Sequence, residues 1–361
     1  MVVVFSMNNE ILRILMMILI TTLFVGMIMP LIKKIAIFVG AMDEPNERKV
    51  HKQVIPRLGG LGMFAGLLLG YMLFGEPSDL MNSILIGSFV IIITGFIDDI
   101  KPIPAKYKFI GQLIAACIIV FYGNLKMEDI SAFGFYAEFG MFAEIITLFF
   151  ILGCINCINL IDGLDGLAGG ISAIYFLTIG IITTVKGYFG LEFVLCFVML
   201  GSCLGFLFHN FNPAKIFMGD SGSMLLGLII SVVALLGFKT ATLSSLVIPL
   251  LVLAIPILDT TFAIIRRKLK GESISKPDKF HIHHQLLNRN FSQRQTVIII
   301  YIIDLLFATA SIIYALGNQK FGYIIYGILL LIVVILVAKT DVVYEHNSKR
   351  KLNFKRNKKA N

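Results

Sequence analysis

Charged residues are scarce in this 361-residue chain. Asp, Glu, Lys and Arg make up only 15% of it, whereas 57% is apolar and the mean hydropathy is +0.88. Soluble globular proteins carry about 25% charged and about 45–50% apolar residues. A single soluble core could not bury this much apolar surface, so the composition excludes a soluble enzyme. The same composition excludes a disordered chain.

Cysteine is also rare, and no cysteine is placed for redox or zinc chemistry. All five lie inside apolar runs: Cys117, Cys154, Cys157, Cys196 and Cys203. Two of them, Cys154 and Cys157, form a C-x-x-C, but the sequence has no second pair to complete a metal site. We therefore interpret the cysteines as packing residues.

The chain has instead a series of long apolar segments. A transmembrane helix needs about 20 mostly apolar residues. By that measure the sequence predicts an all-α, polytopic membrane protein with about eleven transmembrane helices. The predicted spans are 11–32, 58–75, 80–97, 109–123, 141–159, 167–185, 189–209, 222–238, 243–265, 296–316 and 321–338. Several contain small residues, such as Gly59, Gly60, Gly201 and Gly205, which let helices approach closely in lipid.

The basic residues predict the orientation of these spans. If the C-terminus is cytoplasmic, 26 of the 31 Lys and Arg residues fall in cytoplasmic segments. The positive-inside rule then places the N-terminus outside. It also accounts for the net charge of +9, so we expect a lipid bilayer and no nucleic acid as partner. We expect one integral membrane domain over residues 1–340, with its functional loops in the cytoplasm, and a basic cytoplasmic tail over 341–361.

Acidic residues gather at the predicted inner ends of several spans. Asp98 and Asp99 end one span, and adjacent carboxylates repel each other unless a cation lies between them. Mg²⁺ prefers such oxygen ligands and completes its shell with water and phosphate. The alternative is a solvated helix end, with Lys106 and Lys108 as counter-ions.

A second polar segment follows the fifth predicted span. Asn156, Asn159, Asp162 and Asp165 recur every three residues, which places them on one face of a helix or helical turn. Residues 156–166 contain no Lys or Arg. An external cation, or a ligand rich in hydrogen-bond donors, is therefore expected to neutralise this face. Helix capping by the same side chains is the alternative.

A third segment, residues 217–223 (FMGDSGS), leads into another span. Asp220 is placed to hold a metal, while the free N–H groups of the helix that follows could hold a phosphate. Phe217 could stack on a nucleotide base. The alternatives are an Asp or Ser that simply caps the helix, and a phenylalanine that simply packs.

Three histidines occupy a loop rich in Lys and Arg. His281, His283 and His284 lie within four residues, which suits an anionic substrate. A zinc site would need Cys or spaced His partners, and the sequence offers none. A basic loop lying on anionic lipid would explain the Arg and Lys residues but not the clustered histidines.

Together these segments resemble the polyprenyl-phosphate N-acetylhexosamine-1-phosphate transferase family. Its members start wall teichoic acid, enterobacterial common antigen and O-antigen, and include the phospho-MurNAc-pentapeptide translocase. The matching motifs, in the expected order, are 56–60 (PRLGG), 98–99 (DD), 159–166 (NLIDGLDG), 217–223 (FMGDSGS) and 281–284 (HIHH). The predicted span count also agrees with this family.

The resemblance implies an activity, a cofactor and a location. A sugar-1-phosphate would pass from a UDP-sugar to undecaprenyl phosphate, with release of UMP and a requirement for Mg²⁺ or Mn²⁺. The HIHH motif is similar to that of the GlcNAc-1-phosphate branch and favours UDP-GlcNAc. The enzyme would be a multi-pass protein of the bacterial plasma membrane with its active site facing the cytoplasm, and a homodimer is a possible assembly.

The resemblance also implies roles for particular residues. It makes Asp98, Asp99 and Asp165 the expected catalytic residues, with the first two acting on the lipid phosphate, either as a base or as ligands on the metal side. Asp220 and Asn159 would hold the metal. Substrate binding would fall to six residues, Asp162, Asn210, Phe217, His281, His283 and His284, of which the first three would contact the uridine. A two-step route through an aspartyl-phosphate stays open.

Three other interpretations compete with this one. A cation-coupled transporter would use the acids as an ion path, but transporter sites lie near the membrane midplane. A CDP-alcohol phosphotransferase is suggested by the DGLDG of residues 162–166, but that class needs an Ala-Arg pair soon afterwards, and residues 167–185 contain none. A membrane scaffold would leave the polar face at 156–165 unexplained.

Overall fold

The computed structural model describes residues 2–45, 53–132, 135–239, 247–269, 271, 281–317 and 319–338. Its helices are α1 (Val2–Val39), α2 (Gly59–Phe74), α3 (Asp79–Ile100), α4 (Ala105–Cys117), α5 (Ala143–Ile161), α6 (Leu167–Val185), α7 (Leu191–Asn210), α8 (Gly219–Lys239), α9 (Val247–Val252), α10 (Ala254–Leu269), α11 (Ile282–Asn288), α12 (Gln293–Leu316) and α13 (Gln319–Ala338). Two antiparallel strand pairs join β1 (Met42–Asp43) to β2 (Ile55–Pro56) and β3 (Asp129–Ala132) to β4 (Phe135–Glu138). The predicted basic tail lies outside the described residues.

The described helices include eight that are long and apolar enough to cross a membrane. They are α1, α3, α4 with its π-helical continuation Ile118–Tyr122, α5 with the preceding turn Gly140–Phe142, α6, α7, α8 and α12. Two further apolar stretches are shorter, namely α2 and the part of α13 from Lys320 to Ile335. The chain is therefore a mostly helical, multi-pass membrane protein, as its composition predicts.

One predicted span, 243–265, is divided in the structure. Within its described part, α9 and α10 are separate helices that meet at Leu253. Each has a proline in its first turn, Pro249 and Pro256, where the missing N–H is tolerated. Pro256 cannot donate to the carbonyl of Val252, so a continuous helix would lose that bond. Measuring the length of an apolar run does not detect this interruption.

Helix α8 lies at the centre of the bundle. It packs against α2, α3, α5, α6 and α7, and every residue from Ser221 to Gly237 is buried. The outer helices instead expose apolar side chains, such as Leu15, Leu19 and Met27 of α1. This arrangement is typical of a bundle whose outer helices face lipid.

Glycines allow the central helices to pack closely. A Cβ atom on Gly60 of α2 would overlap the backbone of Gly222, and one on Gly95 of α3 would overlap the backbone of Ser221. Gly201 of α7 lies against α1 in the same manner. The expectation that small residues bring the helices together is therefore confirmed at these positions.

The connections between helices place the polar segments at one end of the bundle. Helices α3, α5 and α7 end there, and α4, α6 and α8 begin there, as the side-chain contacts described below show. The pair β3–β4 follows the opposite end of α4 and precedes the opposite end of α5. One end of the bundle therefore collects the acidic motifs.

Candidate active site

The carboxylates of Asp98 and Asp220 share one lysine. Asp98 lies near the end of α3, Asp220 in the first turn of α8, and Lys108 in the first turn of α4. The Lys108 Nζ atom lies 2.7 Å from Asp98 Oδ2 and 2.5 Å from Asp220 Oδ2. Asp98 Oδ1 accepts a 2.8 Å hydrogen bond from the backbone N–H of Ile103. The ammonium group therefore occupies the place between two carboxylates where charge neutralisation is required.

Asp99 faces away from this lysine and contacts the start of α8. Its side chain is 0% exposed. Oδ1 accepts the N–H of Asp220 at 2.9 Å, and Oδ2 accepts both the N–H of Ser221 at 3.2 Å and its hydroxyl at 2.8 Å. The expectation that the N–H groups at this helix start are free for a phosphate is therefore wrong for Asp220 and Ser221. Asp99 already satisfies those two donors.

Arg57 ties the end of α3 to the preceding loop. Its Nε atom donates to the backbone carbonyl of Asp99 at 3.1 Å, and its Nη2 atom donates to that of Asp98 at 3.4 Å. Its Nη1 atom lies 3.2 Å from Asp43 Oδ1. A guanidinium group at the carboxyl end of a helix binds carbonyls that have no partner within the helix and complements the helix dipole.

The PRLGG motif runs beside the FMGDSGS motif. The N–H of Phe217 donates to Pro56 O at 2.8 Å, the N–H of Gly59 donates to Phe217 O at 2.9 Å, and the N–H of Gly60 donates to Met218 O at 2.9 Å. The backbone of Phe217 therefore holds two segments together. Its side chain is half-buried, and its predicted stacking on uridine stays a prediction.

The two asparagines of α5 have different neighbours. Asn159 donates through Nδ2 to Ser223 Oγ of α8 at 2.8 Å, which leaves its Oδ1 as the acceptor end of the amide. Asn156 donates instead to Gln112 Oε1 at 2.9 Å and to Leu152 O at 2.8 Å. The expected polar face thus divides, and only Asn159 contacts the start of α8.

Asp162 lies at the end of α5, close to the other carboxylates. Its side chain is half-buried. Burial raises the pKa of Asp162 well above its ordinary value, and the negative charges of Asp220, Asp99 and Asp165 raise it further. A carboxylate in this position is stabilised by a cation or by a ligand that donates hydrogen bonds.

Two of the predicted site residues stabilise the loop before α8. Asp165 Oδ2 accepts the side-chain amide of Asn212 at 2.9 Å and the N–H of Ala214 at 3.0 Å. Asn210 accepts the N–H of Gly166 at 2.8 Å and donates to Ile216 O at 2.9 Å. Both ends of the Asn210 amide are thus used inside the protein. Asp165 and Asn210 therefore stabilise the conformation of the loop before α8. Their predicted catalytic and uridine-binding roles stay untested.

The histidine motif forms one cluster held by Asp259. Asp259 Oδ2 lies 2.8 Å from His281 Nδ1, and Oδ1 accepts the N–H of Ile282 at 2.7 Å at the start of α11. The rings of His281 and His283 stack with centroids 5.7 Å apart, and those of His283 and His284 lie 4.3 Å apart. Burial lowers the pKa of His283 to about 3, so this ring is neutral at ordinary pH.

The cluster also lies against the DGLDG turn. A Cβ atom on Gly163 would come within 2.7 Å of His283 Nε2. The acidic motifs and the histidines therefore meet in one place, although they lie far apart in the sequence.

The donors in this place fit a hard divalent cation that is bound by few protein ligands. Carboxylate oxygens of Asp98 and Asp220 already share the ammonium group of Lys108. The amide of Asn159, which carries Oδ1, is bound to Ser223 near the start of α8, the helix that carries Asp220. Within the described residues, no three His, Cys, Asp or Glu side chains are grouped as ligands of one ion. Mg²⁺ typically takes one or two carboxylates and completes its shell with water and substrate phosphates.

Three residues of this site were not assigned roles from the sequence. Asp259 is an isolated acid in an apolar segment, which by itself marks a functional position in a membrane protein. Lys108 was considered only as a counter-ion, and Arg57 only as part of a turn. Each binds a partner from another segment of the chain. Arg57 and Asp99 are 42 positions apart, and Lys108 and Asp220 are 112 positions apart.

Comparison with known proteins gives a consistent result. Residues 81–238 match the family model described as glycosyl transferase family 4. A Bacillus subtilis (strain 168) protein, described as a probable undecaprenyl-phosphate N-acetylglucosaminyl 1-phosphate transferase, is 42% identical over 343 residues, which cover 94% of this chain and 95% of that protein.

The chain belongs to the family of polyprenyl-phosphate N-acetylhexosamine-1-phosphate transferases. A decaprenyl-phosphate N-acetylglucosaminephosphotransferase of Mycolicibacterium smegmatis is 34% identical over 75% of this chain and 74% of its own length. An undecaprenyl-phosphate alpha-N-acetylglucosaminyl 1-phosphate transferase of Salmonella typhi is 32% identical over 78% of this chain and 77% of its own. The resemblance inferred from five short motifs is thus confirmed for this polyprenyl-phosphate transferase family. None of these relatives supports the transporter alternative.

Proposed function

We propose that this protein transfers GlcNAc-1-phosphate from UDP-GlcNAc to undecaprenyl phosphate and releases UMP, with Mg²⁺ or Mn²⁺ as cofactor. The observation that carries the proposal is the arrangement of Asp98 and Asp220 on the single ammonium of Lys108. The descriptions of three relatives agree with it. The product would start a lipid-linked polymer of the cell envelope.

The reaction joins two anions, so its barrier is mainly electrostatic and orientational. An oxygen of the lipid phosphate attacks the β-phosphorus of the UDP-sugar. The bond from that phosphorus to the oxygen bridging it to the α-phosphate breaks, and UMP leaves with that oxygen. The second pKa of a phosphate monoester is about 6, so the acceptor is mostly a dianion at neutral pH. A strong general base is then not required, and Asp98 serves to orient the acceptor next to Lys108.

The cofactor would be held by Asp220 and by Asn159 Oδ1. When bound, it neutralises charge on the diphosphate of the UDP-sugar. Asp162 lies close enough to Asp220 to interact with it electrostatically and is placed to accept hydrogen bonds from the nucleotide. Lys108, which contacts both Asp98 and Asp220, would offset negative charge on the phosphate of the acceptor.

The proposal includes a position in the membrane. Eleven spans, with α9 and α10 together forming one interrupted crossing, would place the N-terminus outside and the active site at the cytoplasmic face of a bacterial plasma membrane. The excess of basic residues on that side supports this orientation. Both substrates are then within reach, since the nucleotide sugar is soluble and the lipid phosphate lies at the interface. The possible homodimer stays a prediction.

The test uses the purified protein in detergent with undecaprenyl phosphate and radiolabelled UDP-GlcNAc. We expect label in the lipid extract only when the acceptor is present, and loss of that label when EDTA removes the divalent cation. Glu144→Gln is the matched control, because Glu144 pairs with Lys126 at the opposite end of α5 and should leave the rate unchanged. Transfer that persists in EDTA would refute the metal requirement, and no transfer at all would refute the function.

A second experiment distinguishes direct transfer to the lipid phosphate from a two-step route through an aspartyl-phosphate. Exchange of labelled UMP into UDP-GlcNAc in the absence of lipid would require an aspartyl-phosphate. We expect no such exchange, because the proposed attack comes from the lipid phosphate itself.

The choice of sugar is tested by offering UDP-GalNAc in place of UDP-GlcNAc. We expect a lower kcat/KM for UDP-GalNAc.

A further inference from the structure

We infer that Asp99 is a positioning residue, whose carboxylate holds the first turn of α8 so that Asp220 points at the reaction site. This inference rests on the proposed function, since it takes Asp220 as the metal ligand. It separates Asp99 from its neighbour Asp98, although the family resemblance implies one role for both.

The first argument is that Asp99 has no surface to offer a substrate. Its side chain is fully buried, and its two oxygens accept three hydrogen bonds, all from Asp220 and Ser221. Arg57 Nε lies 3.9 Å from Oδ1 on another side. A lipid phosphate or a metal could reach this carboxylate only by displacing those donors from a buried place, which costs free energy for each one left unsatisfied.

The second argument is that the surrounding backbone is shaped for this contact. Gly95 lies one helical turn before Asp99 and has no side chain, so α3 can approach the backbone of Ser221. Gly219 has a φ of +71°, and a Cβ atom there would overlap the Asp99 carboxylate. Two glycines on two helices therefore leave room for this carboxylate at the start of α8.

The third argument concerns what the contact controls. Asp99 Oδ1 binds the backbone N–H of Asp220 itself, while the Asp220 side chain extends to Lys108. Movement of that peptide would shift the Asp220 carboxylate relative to Asp98 and Asn159. Residues that orient a metal ligand in this way typically change metal affinity or activity by about 10- to 100-fold when they are replaced.

The experiment measures Mn²⁺ binding by electron paramagnetic resonance on the purified full-length protein without substrates, and kcat and KM on the same samples. For Asp99→Asn we expect the Kd for Mn²⁺ to rise by about 10-fold and kcat to fall by about 10- to 100-fold. The KM for undecaprenyl phosphate should change by less than about 3-fold, because Asp99 does not touch that substrate.

Ser221→Ala is the second variant, and it keeps the test decisive if Asp99→Asn fails to fold. It removes one donor to Asp99 while leaving every carboxylate in place. We expect a smaller shift in the same direction, in both the Kd for Mn²⁺ and kcat. In the double variant the two losses should not multiply, because both substitutions break one contact.

Two results would overturn the inference. If Asp99 bound the lipid phosphate, Asp99→Asn would raise the KM for undecaprenyl phosphate and leave the Kd for Mn²⁺ unchanged. If Asp99 were itself a metal ligand, Ser221→Ala would leave Mn²⁺ binding unchanged. Failure of the proposed function would look different, since the wild-type protein would then transfer no label at all while the comparison of Mn²⁺ binding would still test Asp99.

Discussion

Two adjacent aspartates at the end of α3 have different environments. Successive residues of a helix point about 100° apart, so the side chains of Asp98 and Asp99 extend in different directions. Asp98 turns toward Lys108 and the loop after α3, whereas Asp99 turns toward the start of α8. The sequence predicts that both belong to the site, because two acids at a span end need partners. It could not assign the partners, since they come from α4 and α8.

Asp220 is the residue on which metal-dependent transfer should depend most. In Asp220→Asn the amide replaces the carboxylate next to Lys108, and the protein loses a charged ligand without losing volume. We expect transfer to fall by at least about 100-fold, and the Mn²⁺ signal in electron paramagnetic resonance to stay that of the free ion. The assay is lipid-extracted label from UDP-GlcNAc, with Glu144→Gln beside it. Turnover near that of the wild type would show that Asp220 does not hold the metal.

His283 should make the protein sensitive to acid. In the unfolded chain a histidine takes up a proton below pH 6.5, whereas burial lowers the pKa of folded His283 to about 3. The unfolded state therefore binds more protons between these values, and stability is lost as the pH falls from 6.5 toward 3. At pH 5 the loss is at most about 2 kcal/mol.

The measurement is the thermal midpoint in detergent at pH 7 and at pH 5. We expect the thermal midpoint of the wild type to be lower at pH 5 than at pH 7. In His283→Asn this decrease should be smaller, because asparagine takes up no proton. Asp259 and the neighbouring His281 and His284 remain in both proteins, so they contribute equally to the comparison. An unchanged fall in His283→Asn would mean that His283 titrates normally.

At the scale of helices, the sequence predicts well which segments are helical, and less well whether a helix is continuous. The predicted span 167–185 coincides with α6, because apolar length is what a membrane selects. The segment 243–265 was predicted as one helix, yet α9 and α10 are separate, since Pro256 has no N–H to donate to the carbonyl of Val252. The β3–β4 pair was not predicted, because its residues are neither long nor apolar enough to stand out.

Glycine positions on the helices give a matched pair of substitutions. In Gly60→Ala the added Cβ would overlap the backbone of Gly222 in the central helix α8, where neither backbone can yield. Overpacking of this kind costs about 1–3 kcal/mol. In Gly153→Ala the Cβ meets no atom within 4 Å, and alanine gains up to about 1 kcal/mol of helix propensity. We expect the thermal midpoint in detergent to fall for Gly60→Ala and to stay level or rise for Gly153→Ala. Equal midpoints would mean that α2 and α8 can separate without cost.

At the scale of the whole molecule, the site exists only because the chain returns repeatedly to one end of the bundle. The sequence predicts this return, since alternating spans bring every second connection to the same side. It does not predict which connections touch. Asp165 and Asn210, whose predicted roles at the substrate stay untested, join the turn after α5 to the loop before α8 through hydrogen bonds. Such internal bracing is set by distances between loops, which spacing along the chain does not contain.

Orientation in the membrane gives the last prediction. The connection before α8 lies at the site, and the β3–β4 pair follows the other end of α4, so cysteines placed in each should react from opposite sides. Lys215 and Ala137 are both exposed and suit this test. Cys117→Ser provides the background, because the other four cysteines are buried. With a membrane-impermeant maleimide, we expect Ala137→Cys to react in intact cells and Lys215→Cys to react only after permeabilisation. The reverse pattern would place the site outside the cell, where a soluble nucleotide sugar could not supply it, and labelling of both from one side would contradict the arrangement of the bundle itself.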